Sequence, residues 1–272
     1  VLKDVQNYKD GRKIPIQKAG ISGLEYPICV MDRENKTQQT VARVSMYVDL
    51  PHHYKGTHMS RFVEILEKLR GKISPAHIEH ILQTMVERFD SNTAHLEIKF
   101  PYFKQKQAPV SKAASLMSYQ CAFLAAYNKN EKKNNKFQLV IEVNVPVTTL
   151  CPCSKAISRK GAHNQRSIVT VKVLSQKLVW IEELIELVEK SASSGVYSLL
   201  KRADEKFVTE QAYNKPRFAE DIARAVAAKL KSDDRVEWFM VESENFESIH
   251  NHNAYAMVAG GKRDIPPSIC ID

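Results

Sequence analysis

The stretch VARVSMYVDL, residues 41–50, alternates along its length: Val44, Met46, Val48 and Leu50 fall on one face, Arg43, Ser45, Tyr47 and Asp49 on the other. A period of two is the signature of a half-buried strand. Two helical stripes follow. Phe62, Ile65, Leu66 and Leu69 make the first, and Ile78, Ile81, Leu82, Met85 and Phe89 make the second. Ser74 is placed to cap the second helix and Pro75 to open it, because a proline at the first helical position gives up only an N–H that the helix leaves unused. Strand-like segments return at 95–100, 116–127 and 137–145.

The same order recurs further on. Residues 167–174, SIVTVKVL, alternate as a strand; Ile181, Leu184, Ile185 and Val188 form an amphipathic stripe, and 218–230 another. Strand patterns close the chain at 236–243 and 254–259. No close sequence repeat accompanies this recurrence, so the duplication is one of structure. Hairpin-like neighbours without a βαβ rhythm predict antiparallel sheets with helices on one face, an α+β class. The expected division is a polar, Gly/Pro-punctuated arm over 1–40, a first unit over 41–150 and a second over 151–272. The charged run LLKRADEKFVTE, 199–210, reads as a solvated helix face.

A hydrophobic content of 43% and a charged content of 26% exclude general disorder. No apolar run approaches the roughly 20 residues of a membrane span, and no secretory pattern opens the chain. It starts at Val1 instead of a methionine, so upstream residues are expected. Five cysteines, an odd number without a secretion signal, indicate reduced thiols in a cytoplasm. Cys29, Cys121 and Cys270 read as small buried hydrophobes or idle thiols. A formal charge of +9 suits an anionic partner. Basic residues are scattered apart from KKNNK at 132–136, which reads as a solvated loop. Without zinc-finger spacing, an RNA-binding signature or a basic helix, a small phosphorylated anion fits better than nucleic acid.

The chemistry-bearing residues gather where the two units join, in VPVTTLCPCSKAISRKGAHNQRS at 145–167. A Cys-Pro-Cys step is expected to stay extended and turn Cys151 and Cys153 to different tasks, one as ligand or nucleophile. His163 stands in a polar turn before a strand. In FESIHNHN, 246–253, Glu247 precedes His250 and His252, which share one face if the segment is extended; that suits metal binding or a proton relay. Glu205 follows a basic stretch with no local feature to single it out. The bland alternatives are incidental cysteines at a strand end and polar loop histidines. Taken together, thiol, imidazole and carboxylate suit a mixed-ligand divalent ion, zinc first, manganese or ferrous iron next. An open position on such an ion makes a nucleophile of water near neutral pH. The residues alone point to metal-assisted hydrolysis of an anion.

Four segments carry a resemblance: 49–66 (DLPHHYKGTHMSRFVEIL), 147–158 (VTTLCPCSKAIS), 161–167 (GAHNQRS) and 242–256 (ESENFESIHNHNAYA). In that order and spacing the chain resembles the prokaryote-type (IB) GTP cyclohydrolase I family from about residue 40 onward. The resemblance implies two tandem tunnelling-fold units, a homotetramer with active sites at subunit interfaces, and conversion of GTP and water to 7,8-dihydroneopterin triphosphate and formate. It implies one divalent metal per site (Zn, Mn or Fe(II)) on Cys151, His163, Glu205 and His250. Cys151, Cys153, His163, Glu247 and His252 become the catalytic set, and Glu220 the anchor for guanine. Arg61, Lys155, Arg166, Lys201 and Arg202 become triphosphate candidates by their closeness to the motifs; neither nucleic acid nor a membrane is expected as partner. Two rivals remain. A nitrile reductase of the same fold would use Cys151 or Cys153 as nucleophile, but its Glu-Ser-Lys-Ser-rich cofactor motif is missing. A non-catalytic, metal-stabilised binding module, possible for RNA given the charge, would hold a closed four-ligand site.

Overall fold

The alternation at 41–50 forms the second part of a longer strand, β2 (Lys36–Leu50), whose partner is β1 (Ile16–Asp32). The computed structural model describes residues 6, 8, 11–52, 54–67, 74–132, 136–175, 177–262 and 269. After β2 come α1 (Met59–Glu67), α2 (Pro75–Phe89), β3 (Thr93–Gln107) and β4 (Ala114–Asn128). The second series is β5 (Phe137–Leu150), α3 (Pro152–Ile157), β6 (Asn164–Ser175), α4 (Ile181–Ser191), β7 (Ser194–Gly195), α5 (Arg202–Asn214), α6 (Ala219–Lys231), β8 (Val236–Asn245) and β9 (Ala254–Gly261). Each series is therefore two strands, a helical segment and two strands.

This arrangement corrects the expected division. Residues 16–32 of the supposed arm are a strand, and β5 opens the second series instead of closing the first. The arm hid its strand because the β1–β2 register shifts between Ile16 and Ala19 and again between Ile21 and Leu24, which breaks the alternation on which a sequence reading depends. Gly20 belongs to the same irregularity: a Cβ there would lie 1.9 Å from the Met46 carbonyl oxygen. By contacts the chain forms two compact units, and neither is bounded at residue 150. The first takes the described residues up to Phe100, those of 122–140, and Ile269; the second takes 101–121 and the chain from Ile141 to the end of β9.

In the first unit the strand order runs β1-β2-β3, then β4 and β5. Val44, Met46 and Val48 are fully buried, as the alternation predicts. Phe62, Ile65, Leu66, Ile81, Leu82 and Met85 supply the helical side of this core, and Phe62 stacks on Phe89 at 4.2 Å. Each such side chain contributes about 1.5–3 kcal/mol of transfer free energy. Ser74 caps α2 by accepting from the His77 amide, and Pro75 opens the helix. Ser45, on the expected polar face, is buried and accepts from the Gly23 amide instead of water. Leu69, residues 133–135 of the lysine-rich run, and Cys270 lie outside the described residues.

In the second unit the order is β3-β4-β5-β6-β8-β9, with β7 paired to β5. α6 lies on β8 and β9 with Ile222, Ala223, Val226 and Leu230 turned inward, and α4 packs on α6. Cys121 is buried, as a small hydrophobe should be, and burial pushes its thiol up. The charged run at 199–210 becomes α5, whose inward residues are Asp204 and Ala212. Asp204 pins the β3–β4 turn to the start of that helix. Its carboxylate accepts from the amides of Val110 (2.8 Å) and Ser111 (2.8 Å), the Ser111 hydroxyl (2.6 Å) and the Lys201 amide (2.9 Å). Burial opposes its ionisation, but these donors outweigh burial and hold the carboxyl well below the usual range. Among the described residues no helix is long and apolar enough to cross a membrane.

Two outcomes follow from this packing. Asp204→Ala lowers the Tm and speeds amide exchange at Val110 and Ser111; unchanged protection at both would show that the turn holds without it. His95, on β3 opposite Tyr47, is buried, and burial, with the nearby Lys18 charge, outweighs the attraction of Asp49 and lowers its pKa to about 4. The ring is neutral in the fold, while the unfolded chain takes up its proton near 6.5. His95 thus costs nothing above that pH, and its penalty grows as pH falls toward 4, reaching roughly 2 kcal/mol by pH 5. Urea unfolding at pH 7 and pH 5 should show His95→Gln losing less stability than the parent by about that amount; equal losses would contradict the assignment.

Candidate active site

β5 ends at Leu150, and the chain turns at once into α3. The Cys-Pro-Cys step is not extended as expected. Pro152 is the first residue of α3, the N-terminal position a proline tolerates best, so Cys153 lies in helical backbone. Cys151 alone is extended (φ −69°, ψ 118°), and as N-cap its Sγ accepts from the Ser154 amide at 3.4 Å. The thiols do part company: Cys151 is half-buried and Cys153 exposed.

The loop after α3 brings His163 back beside this cap. The Cys151 amide donates to the His163 carbonyl at 3.1 Å, and the His163 amide donates to the Ser154 hydroxyl at 3.2 Å. Thiol and imidazole therefore stand on the adjacent ends of β5 and β6. On the His163 ring, Nδ1 lies 3.0 Å from Gln165 Oε1 and 3.7 Å from Glu247 Oε2, while Gln165 Nε2 donates to Glu247 Oε1 at 3.3 Å. An ionised carboxylate only accepts, so the amide must show its NH₂ to Glu247 and its carbonyl to the ring. Nδ1 accordingly carries the proton, and Nε2 keeps its lone pair.

Beyond β8, the His250 ring meets the His163 ring edge-on at 6.5 Å, and His252 stacks on His250 at 5.1 Å. The segment carrying them bends at 248–252 and is not extended, so the two rings meet by stacking across the bend. Both are exposed.

Cys151, His163, Glu247, His250 and His252 are thus brought together. Other expected residues are not. Glu205 and Glu220 sit exposed in the first turns of α5 and α6 and take no part in the hydrogen bonds around His163. α6 is nevertheless tied to the cap from behind, since the Arg217 amide donates to the Leu150 carbonyl at 3.0 Å. Lys155 Nζ is engaged, donating to the Tyr213 carbonyl and lying 4.3 Å from that ring's centre. Lys201 and Arg202 start α5, exposed. Arg166 points from β6 beside a cavity of about 290 Å³ that Gln165, Tyr197 and Leu200 also line. Arg61 belongs to the other compact unit, with Nη1 3.5 Å from the Arg88 carbonyl. The residue that sequence reasoning passed over is Gln165. Its signal was phase: it falls in step with Ser167, Val169 and Val171 on the buried face of β6.

Among the described residues no three Cys, His, Asp or Glu side chains already converge on one point. The donor chemistry nonetheless fits a divalent ion. Cys151 offers a half-buried thiol, and His163 offers Nε2 with its other nitrogen tied to an amide carbonyl, the way metal-binding imidazoles are commonly held.

Comparison with known proteins identifies the fold and the family. Uricase from Arthrobacter globiformis superposes with a TM-score of 0.56 over 92% of this chain and 96% of its own, at 8% identity. Urate oxidase from Bacillus subtilis 168 superposes at 0.52 over 90% and 99%, at 9% identity. At such identities the likeness is one of fold: two tandem tunnelling-fold units, antiparallel sheet with helices on one face. Closer relatives carry function in their names. GTP cyclohydrolase FolE2 of Geotalea uraniireducens is 54% identical over 263 residues, 97% of this chain and 95% of the relative. GTP cyclohydrolase FolE2 of Geobacter sulfurreducens is 56% identical over 262 residues, 96% and 99% respectively. A model of the type I GTP cyclohydrolase folE2 family matches residues 2–256, and the chain belongs to that family.

Proposed function

We propose that the cluster on Cys151 and His163 is the active centre of a GTP cyclohydrolase I, which converts GTP and water to 7,8-dihydroneopterin triphosphate and formate, the first step of folate biosynthesis. The observation that carries this is the match to cyclohydrolases of over 50% identity across nearly the whole chain.

The residue types suit the chemistry. C8 of guanine is a weak electrophile, so N7 must be protonated and the attacking water activated. Opening the imidazole ring and releasing formate consume two waters, and closing the pterin ring returns one. Such a sequence needs several proton positions. His163 offers Nε2 to the metal while Nδ1–H stays on Gln165, and Glu247, 3.7 Å from that ring, takes and returns a proton. His252 and the exposed Cys153 thiol serve the later transfers. A divalent ion on Cys151, His163 and His250, with Glu205 as fourth donor, would supply the acidity of the attacking water. Glu220 accepts from both the ring N–H and the exocyclic amine of guanine, a planar two-point recognition. Arg166, Lys201 and Arg202 offer cations to the triphosphate, with Arg61 and Lys155 further candidates.

The exposure of His250, His252, Glu205 and Glu220 supports a site completed by a neighbouring subunit, in a homotetramer. Reduced cysteines support a cytoplasmic setting; Cys29, Cys121, Cys151 and Cys153 are all unpaired. The family match removes the basis of the reductase alternative, and turnover of GTP would decide against a binding module.

Protein stripped with a chelator and reloaded separately with zinc, manganese or ferrous iron should release formate and yield fluorescent neopterin after oxidation and dephosphorylation. Folded protein that releases none with any metal would overturn the proposal. Cys151→Ala should lose both bound metal and turnover; metal retained at the parent stoichiometry would remove Cys151 from the ligand set. Glu220→Ala should lower kcat/KM for GTP by about 100-fold or more, since two charge-assisted hydrogen bonds at ~1.5–3 kcal/mol each are lost. An unchanged kcat/KM would place guanine elsewhere.

A further inference from the structure

Behind His163 lies a chain of buried polar side chains that the reaction does not touch. Thr149 is on β5, Gln165 and Ser167 are on β6, and Asn245 ends β8 opposite Ser167 in register. Thr149 and Ser167 are fully buried; Asn245 and Gln165 are 3% and 7% exposed. Their hydrogen bonds have one polarity. Ser167 spends its only hydroxyl proton on Asn245 Oδ1 at 2.8 Å, so Thr149 must donate to Ser167 Oγ at 2.8 Å. Thr149 Oγ1 is then left to accept from Gln165 Nε2 at 3.0 Å. The other N–H of that amide goes to Glu247, and its carbonyl to His163 Nδ1. Read from Asn245 or from Glu247, the direction is the same.

Four polar side chains on a face otherwise filled by Val169, Val171 and Val241 cost desolvation, and a methyl in place of the Thr149 hydroxyl would fit the same space. Stability does not explain them. We propose that Thr149 and Gln165 are positioning residues: the Thr149–Gln165 relay fixes the amide, and the amide locks His163 as its Nδ1–H tautomer with Nε2 bare. Without the Thr149 anchor the amide is held only by its longer bond to Glu247 at 3.3 Å; its carbonyl is no longer fixed on Nδ1, and the ring proton is shared with Nε2, which then does not bind a metal.

The kinetic half of the test rests on the cyclohydrolase reading; the spectroscopic half does not. Imidazole ¹⁵N NMR of the metal-free protein, at a pH where the ring is neutral, should show His163 protonated on Nδ1. Thr149→Val and Gln165→Leu should move a substantial fraction of that proton to Nε2, while Thr149→Ser, which keeps the hydroxyl, retains the parent tautomer. In turnover of GTP, Thr149→Val should lose roughly 10–100-fold in kcat with KM little changed, and Thr149→Ser should restore it. A folded Thr149→Val protein with the parent tautomer and the parent kcat would overturn the relay. Absence of turnover in the parent would instead sink the cyclohydrolase reading, with the NMR result still deciding the relay.

Discussion

The hydrogen bond from the Cys151 amide to the His163 carbonyl joins the end of β5 to the start of β6 across the α3 loop. The site is built outward from this closure. It makes Cys151 an N-cap, so the thiol is held by the Ser154 amide, and it sets the imidazole one strand away. It also fixes the phase of β6. From His163 onward, Gln165 and Ser167 alternate inward with the valines, which delivers an amide to the ring and a hydroxyl to the layer beneath. A slip of one residue would turn Arg166 inward and Gln165 to solvent. The fold thus converts one backbone contact into the placement of Cys151, His163 and Gln165.

Two kinds of polar cluster occur in this protein, with different consequences. Asp49 and Asp204 each gather several amide and hydroxyl donors at a turn, and this stabilises the connections on which the helices depend. The Thr149–Ser167–Asn245 set holds no turn. It lies within the strands, where valines would serve stability better, and it ends on the imidazole. The first kind is architectural; the second specifies orientation at the site.

Much of the core was legible because it obeys simple periods. The alternation at 44–50, the stripes on α1, α2, α4 and α6, and the Ser74–Pro75 start all follow from residue spacing, and the structure buries the faces so identified. β1 was illegible because its two register shifts and the close approach at Gly20 destroy the period. α3 was illegible because six residues carry too little pattern, and Pro-Cys reads equally as extended chain or as a helix start. Cys151, His163, Glu247, His250 and His252, which the fold brings near one another, were singled out by motif and composition. Gln165 was not, since an amide between a histidine and an arginine looks like surface until its phase with the following valines is considered. Glu205 and Glu220 were named by resemblance, and their position in first turns of exposed helices explains why local pattern did not distinguish them.

A cyclohydrolase takes C8 out of the guanine ring. GTP carrying ¹³C at C8, followed by NMR during turnover by metal-loaded protein, tests it most directly. The label should appear in formate, in equal amount to the pterin formed, with none remaining in the pterin. Label retained in the heterocycle, or pterin formed without labelled formate, would contradict it.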